Sequence, residues 1–253
     1  MSADSIFADR WLIVTGASSG IGRAVSLELV ALGARVVLMG RNTERLAETA
    51  KLAGAAGRTH IHVLDLAAVD RIGDVIASLV AALGPIYGLC HAAGLGQTIP
   101  FRSTRADVTR TQMEINLHAG LELARALTRR DAMPASEGSI LWLSSVYAHV
   151  GGIGEVAYCA TKGAVVAASR AMALELARKG VRVNTLSPGF VSTGMTDAPE
   201  SRLSTEQWAQ IIARHPLGAG TVEDVARAAV FLLDPRNRWI TGTDLIIDGG
   251  FTA

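Results

Sequence analysis

The 253-residue sequence predicts an α/β fold, a doubly wound parallel sheet of about seven strands with helices on both faces. Three observations carry that prediction. Short aliphatic runs alternate with helix-length segments through most of the chain. Runs such as Leu12-Ile13-Val14 and Val36-Val37-Leu38 are apolar at every position, which suits strands covered on both faces. A glycine-rich turn, Gly16 to Gly22, follows the first run and opens the first helical segment, as at the start of a βαβ unit.

Strands are expected at Trp11–Thr15, Arg35–Met39, His60–Leu64, Ile86–His91, Ser139–Ser144, Val181–Leu186 and Asp244–Ile247. Gly33 and Gly180 stand where helices must stop, directly before a strand. Between Val75 and Phe101 there is no Asp, Glu, Lys or Arg, a run longer than the roughly 20 residues of a membrane span. Gly84-Pro85 divides it, so it reads as the end of a helix followed by a short buried strand. A long helix is expected from Tyr158 to about Lys179. From Phe190 to Pro216 the sequence is polar and poorly periodic, and reads as a long loop shaping the substrate region. With no repeat, low-complexity tract or linker, the reading is one domain over residues 1–253.

Composition narrows the function. A net charge of +1 offers no footprint for nucleic acid or acidic lipid. Two cysteines cannot form a disulfide framework, and Met1 to Arg10 carries acids without an apolar core, unlike a signal peptide. A soluble cytoplasmic protein is expected. His60 and His62 share a strand but show no ligand spacing, so no metal is expected. Cys159 has no base near it in sequence and reads as structural. Lysine is scarce: only Lys51, Lys162 and Lys179 occur among 24 basic residues.

The turn Gly16-Ala17-Ser18-Ser19-Gly20-Ile21-Gly22 would present backbone N–H groups and a helix N-terminus to a pyrophosphate. The second strand then ends in Gly40-Arg41, roughly 20 residues on, where a dinucleotide site places an acid for a free ribose or an arginine for a 2′-phosphate. No acid is present. Arg41 favours NADP(H), with NAD(H) the alternative.

Tyr158 and Lys162 are one helical turn apart on one face. A phenol near pKa 10 needs about 4 kcal/mol of differential stabilisation to work near pH 7. One cation at about 4 Å supplies that only in a site largely closed to water. Lys162 is expected to provide it. Thirteen residues before Tyr158, Ser144-Ser145 end the fifth strand, at the sheet edge where α/β sites lie.

In their order, the glycine turn, Asn116, Ser145, Tyr158-x-x-x-Lys162 and Pro188-Gly189 resemble the short-chain dehydrogenase/reductase family in its shorter form, from about Arg10 to Gly250. The members most like this pattern, the 3-oxoacyl-[acyl-carrier-protein] reductases and their like, reduce 3-oxoacyl thioesters on acyl carrier protein, or small ketones and hydroxysteroids. The resemblance implies a Rossmann-like fold and a nicotinamide cofactor. Tyr158 would be the acid/base, Lys162 would hold the nicotinamide ribose and lower the Tyr158 pKa, and Ser145 would bond the carbonyl. Asn116 would hold a water linking Lys162 to solvent; on its own it reads as a helix kink or a surface residue. Asp65 and Leu66 would meet the adenine, although Asp65 alone reads equally as a helix N-cap. Ala93, Gly94, Pro188, Gly189, Val191 and Thr193 would complete the cofactor site. Where the family has Asn-Asn-Ala-Gly this chain has His91-Ala92-Ala93-Gly94, whose main expected task is to let the backbone pass the cofactor.

Leu95, Gln97, His149 and Ile153, with Val146, Val150, Met195, Leu203 and Trp208, would wall a largely apolar pocket for a neutral ketone or secondary alcohol. The resemblance implies a homotetramer or dimer. Arg129, Arg130 and Lys179 could meet an acyl carrier protein or simply cap helices. An NAD-dependent alcohol or sugar dehydrogenase is the rival enzyme, and a nucleotide-binding regulatory subunit the rival outside enzymes.

Overall fold

The computed structural model describes residues 6–129, 132–134, 136–192 and 205–253, with backbone alone for 205–208. Seven strands form one parallel sheet in the order β3-β2-β1-β4-β5-β6-β7. They are β1 (Trp11–Thr15), β2 (Arg35–Gly40), β3 (Thr59–Val63), β4 (Ile86–His91), β5 (Gly138–Leu143), β6 (Val181–Pro188) and β7 (Asp244–Ile247). Every strand lies within two residues of its expected bounds.

Alternation along the strands divides the core in two. Leu12, Val14, Val36, Leu38, Leu141 and Leu186 pack against helices α1 (Gly20–Ala31), α2 (Thr43–Ala53) and α8 (Val222–Leu233). Ile13, Val37, Met39, Leu89, Trp142 and Val183 face α3 (Ile72–Leu83), α5 (Ala119–Leu127) and α6 (Val156–Leu176). Both sheet faces are therefore dry, which is why the strands carry no polar alternation. The charge-free run resolves as expected into the end of α3, the break at Gly84-Pro85, and β4. Among the described residues no helix is long and apolar enough to cross a membrane.

One expectation changes. The stretch from Phe190 to Pro216 contains α7 (Thr205–Ala213), so part of it is helix rather than loop. Its helical period was masked by the surrounding polar residues. Met195 and Leu203 lie outside the described residues, as do Thr193, Arg130 and the Trp208 side chain.

The strand order turns around between β1 and β4. The chain leaves β1 for α1 on one face and leaves β4 for α4 (Ala106–Met113) and α5 on the other. A crevice opens at such a switch point, beyond the carboxyl ends of the strands. Thr15, His91, Leu143 and Pro188 stand at those ends.

Candidate active site

The glycine turn is built as an anion cradle. Gly16 has φ +67°, and a Cβ there would lie 2.9 Å from the Ala93 nitrogen across the crevice. A Cβ on Gly22 would lie 2.3 Å from the Gly16 carbonyl oxygen, so the helix start fits this turn only without a side chain. The turn's carbonyls are bound elsewhere: Thr49 donates to Ala17 O (2.9 Å) and Arg23 to Ser18 O (2.8 Å). Ser19, the N-cap of α1, makes no side-chain cap, and the first turn has no acid. The orphan N–H groups of α1, Ile21 among them, thus keep their donor capacity and the positive end of the helix dipole. A pyrophosphate fits this chemistry.

Ser18 and Gly40 adjoin, since a Cβ on Gly40 would lie 3.7 Å from Ser18 Oγ. Arg41 follows with an exposed side chain. Asp65 is exposed and accepts from Ala67 N (3.1 Å), closing its own turn rather than capping a helix, while Leu66 is buried beside it. Pro188 is buried at the end of β6, and Val191 forms a bridge with Gly220.

The four expected catalytic residues converge from three elements. Between α4 and α5 the helix makes one π-turn, Glu114–His118, with Asn116 in its middle. Such a turn re-aims side chains that a regular helix would spread. Asn116 is buried, unlike the surface alternative; it accepts from Leu95 N (2.7 Å) and donates to Leu95 O (2.9 Å) and Thr161 Oγ1 (3.0 Å). It thereby pins the loop after β4 to α6. A Cβ on Gly94 would lie 3.4 Å from Asn116 Oδ1 and 3.5 Å from Lys162 Nζ, so backbone, amide and ammonium crowd one point.

Lys162 is buried and donates to Leu143 O (2.6 Å) at the end of β5. Burial lowers its pKa to about 8. Its Nζ lies 5.5 Å from the centre of the Tyr158 ring. Ser145 begins a short 3₁₀ turn, Val146–Ala148, and its Oγ accepts from Tyr147 N (3.2 Å). That bond uses a lone pair and leaves the hydroxyl proton available.

Tyr158 is half-buried on α6. Burial raises its pKa to about 12, and a hydrogen bond with Ser145 only partly opposes this. Tyr158 is a neutral phenol at pH 7.

Two residues escaped the sequence reading. Tyr147 packs edge-on against Tyr158 (centroids 6.2 Å apart) and touches the space at Gly152, where a Cβ would lie 2.7 Å from its ring. His91 does more than spare the backbone. Its Nε2 lies 3.1 Å from Ile115 O and its Nδ1 lies 3.0 Å from Thr15 Oγ1, which in turn accepts from Ala93 N (3.0 Å). A carbonyl only accepts, so Nε2 carries the proton and Nδ1 takes the Thr15 hydroxyl. The ring therefore joins β1, β4 and the π-turn. No spacing rule marks such a contact; only the departure from the family pattern drew attention to the position.

Of the expected substrate contacts, Leu95 is fixed by Asn116, and Gln97 lies exposed on the same loop. That loop is stitched to the segment before α6 by Ile99 N to Gly154 O (2.9 Å) and Thr98 Oγ1 to Glu155 (2.5 Å). Ile153 is 99% exposed. His149 is committed elsewhere: its Nε2 meets the buried Asp244 carboxylate at 2.5 Å, which also accepts from Ser187. Cys159 Sγ lies 3.8 Å from Val150 O, consistent with packing. Among the described residues no cluster of His, Cys, Asp and Glu could hold a metal.

A sequence profile described as Enoyl-(Acyl carrier protein) reductase matches residues 16–252. The chain belongs to the short-chain dehydrogenase/reductase family. This family member is 35% identical over 246 residues to 3-oxoacyl-[acyl-carrier-protein] reductase of Rattus norvegicus, covering 96% of this chain and 98% of that one. It is 33% identical to gluconate 5-dehydrogenase of Gluconobacter oxydans, over 95% of this chain and 94% of the relative. A crystal structure titled short-chain dehydrogenase/reductase SDR:Glucose/ribitol dehydrogenase, from Brucella melitensis, superposes with a TM-score of 0.90 at 31% identity and full coverage of both chains. As a member of this family the protein is an oxidoreductase that depends on a nicotinamide cofactor.

Proposed function

We propose that the protein is an NADP(H)-dependent carbonyl reductase acting on a neutral ketone, with 3-oxoacyl thioesters as a candidate class. The neutral phenol of Tyr158, hydrogen-bonded to Ser145 beside a buried Lys162, carries this reading. When bound, a dihydronicotinamide would supply the hydride for the carbonyl carbon. Tyr158 donates its proton to the carbonyl oxygen, giving the alcohol, and Ser145 donates a hydrogen bond that orients that oxygen. Lys162 and Asn116 fix the loop and strand ends around the phenol. The glycine turn, with Asp65, Leu66, Ala93, Gly94, Pro188, Gly189, Val191 and Thr193, would hold the dinucleotide, and Arg41, which follows Gly40 at the end of β2, would meet its 2′-phosphate.

Tyr158→Phe tests the chemistry. Turnover of a competent ketone should fall by about 10²–10⁴-fold while nucleotide affinity holds; unchanged NADPH oxidation would sink the assignment. Arg41→Ala should cut the preference for NADPH over NADH by about tenfold or more, the worth of one charge-assisted bond. An unaltered preference would remove Arg41 from the cofactor site.

The rival is an NAD-dependent sugar or alcohol dehydrogenase, favoured by the gluconate 5-dehydrogenase relative and the structural neighbour described as a glucose/ribitol dehydrogenase. With a phenol near pKa 12, oxidation should accelerate toward alkaline pH, because it needs the phenolate as base. We further propose a cytoplasmic homotetramer or dimer, supported by the exposed Leu174 on α6 and Trp239 before β7. Light scattering of the purified protein tests the assembly.

A further inference from the structure

One buried side chain outside the catalytic group stands where three segments meet. His215 follows α7 and is 5% exposed. Its Nδ1 lies 2.7 Å from Ile211 O, and its Nε2 accepts from Phe190 N at 3.1 Å. Its ring stacks on Phe251 (centroids 4.7 Å apart, planes 24°) near the carboxyl end of the chain. A Cβ on Gly189 would lie 3.1 Å from this Nε2 and 2.8 Å from the Asp248 Cα, so the strand-end backbone passes tightly between imidazole and β7 exit. The segments then bond to one another: Gly189 N to Ile247 O (2.9 Å), Gly220 N to Phe190 O (3.0 Å) and Leu217 N to Gly249 O (3.0 Å).

The two contacts define the tautomer. Phe190 N–H can only donate, so Nε2 is unprotonated, and Nδ1 carries the proton toward Ile211 O. An imidazolium would set N–H against N–H at Phe190. Among the described residues, the Asp248 carboxylate beside this site is held by Gly250 N (2.9 Å), Thr252 N (2.8 Å) and Thr252 Oγ1 (2.6 Å). Arg214 stacks 4.2 Å over the Phe251 ring.

We propose that His215 is a positioning residue that, as the neutral Nδ1–H tautomer, holds the Gly189–Val191 backbone to receive the nicotinamide end of the cofactor and couples α7 to that backbone. This rests on the reading above that Pro188, Gly189 and Val191 belong to the cofactor site; β6 ends beside β5 and Ser145, whereas the glycine turn lies across β4 at the end of β1. The lever is local, so its effect belongs to the nicotinamide half and not to the adenosine half, which sits at the glycine turn.

The test compares binding of NADP⁺ with that of 2′-phospho-ADP-ribose, which lacks only the nicotinamide ring, by tryptophan fluorescence without turnover. NAD⁺ and ADP-ribose form a second pair. In His215→Leu, NADP⁺ affinity should fall by about tenfold, the worth of about one net hydrogen bond, while 2′-phospho-ADP-ribose binds as to wild type. His215→Gln, whose amide oxygen can accept from Phe190 N–H, should restore NADP⁺ affinity. Equal NADP⁺ binding by wild type and His215→Leu would overturn the inference. So would equal loss of both ligands, or no rescue by glutamine. A wild-type protein that binds neither pair would overturn the cofactor reading itself, and this inference with it.

Discussion

His91 and Lys162 are both buried groups whose pKa burial lowers, and at pH 7 the first is neutral while the second is charged. Burial holds the His91 pKa at about 4. The unfolded chain takes up that proton near pH 6.5, so the folded state keeps its advantage above that pH and loses it as pH falls toward 4. The full loss is about 3 kcal/mol. Urea midpoints should drop over this window, and His91→Asn should flatten the slope. An unaltered slope would place the acid sensitivity in another group. Lys162, with a pKa of about 8, is charged at pH 7 at a cost of about 3 kcal/mol. Lys162→Met removes that cost and leaves Leu143 O unpaired, which returns about 1–2 kcal/mol. The variant should therefore unfold at higher urea while losing turnover, the mark of a residue kept for chemistry at the expense of stability. Lower stability in Lys162→Met would show that its bond to Leu143 O outweighs its desolvation.

The same balance appears at the level of single elements. Helix α1 begins on a turn that no side chain at position 22 can share. Gly22→Ala must push Gly16 back by most of an ångström, so nucleotide affinity should be lost first and stability with it. Retained wild-type binding would disprove the close fit. Helix α8 begins conventionally. Thr221 and Asp224 form a capping box, with Asp224 N donating to Thr221 Oγ1 (3.2 Å) and Thr221 N to Asp224 Oδ2 (2.9 Å). Thr221→Ala should cost about 1 kcal/mol in urea unfolding and leave nucleotide binding unchanged. The contrast has a physical reason. A capped helix start has spent its donors within the chain, whereas the uncapped start of α1 keeps them for an anion.

Across the whole molecule, all seven strands lie in one sheet, with two covered faces and a site at its carboxyl edge. Trp11 in β1 and Trp142 in β5 report on the same sheet. We therefore expect tryptophan fluorescence and far-ultraviolet circular dichroism to give coincident urea transitions, as one domain requires. Separate midpoints would divide the chain.

The strands, the long helix, the glycine turn and the order Asn116, Ser145, Tyr158, Lys162 were legible in sequence because period and spacing are local properties. The scarcity of lysine even pointed to Lys162. What spacing cannot encode is which groups lose water and which find partners across the fold. Burial raises the Tyr158 pKa to about 12, the π-turn buries Asn116, Asp244 pairs with His149, and His91 and His215 are junctions between distant segments. Desolvation and hydrogen bonding depend on the whole surroundings of an atom, and those exist only once the chain has folded.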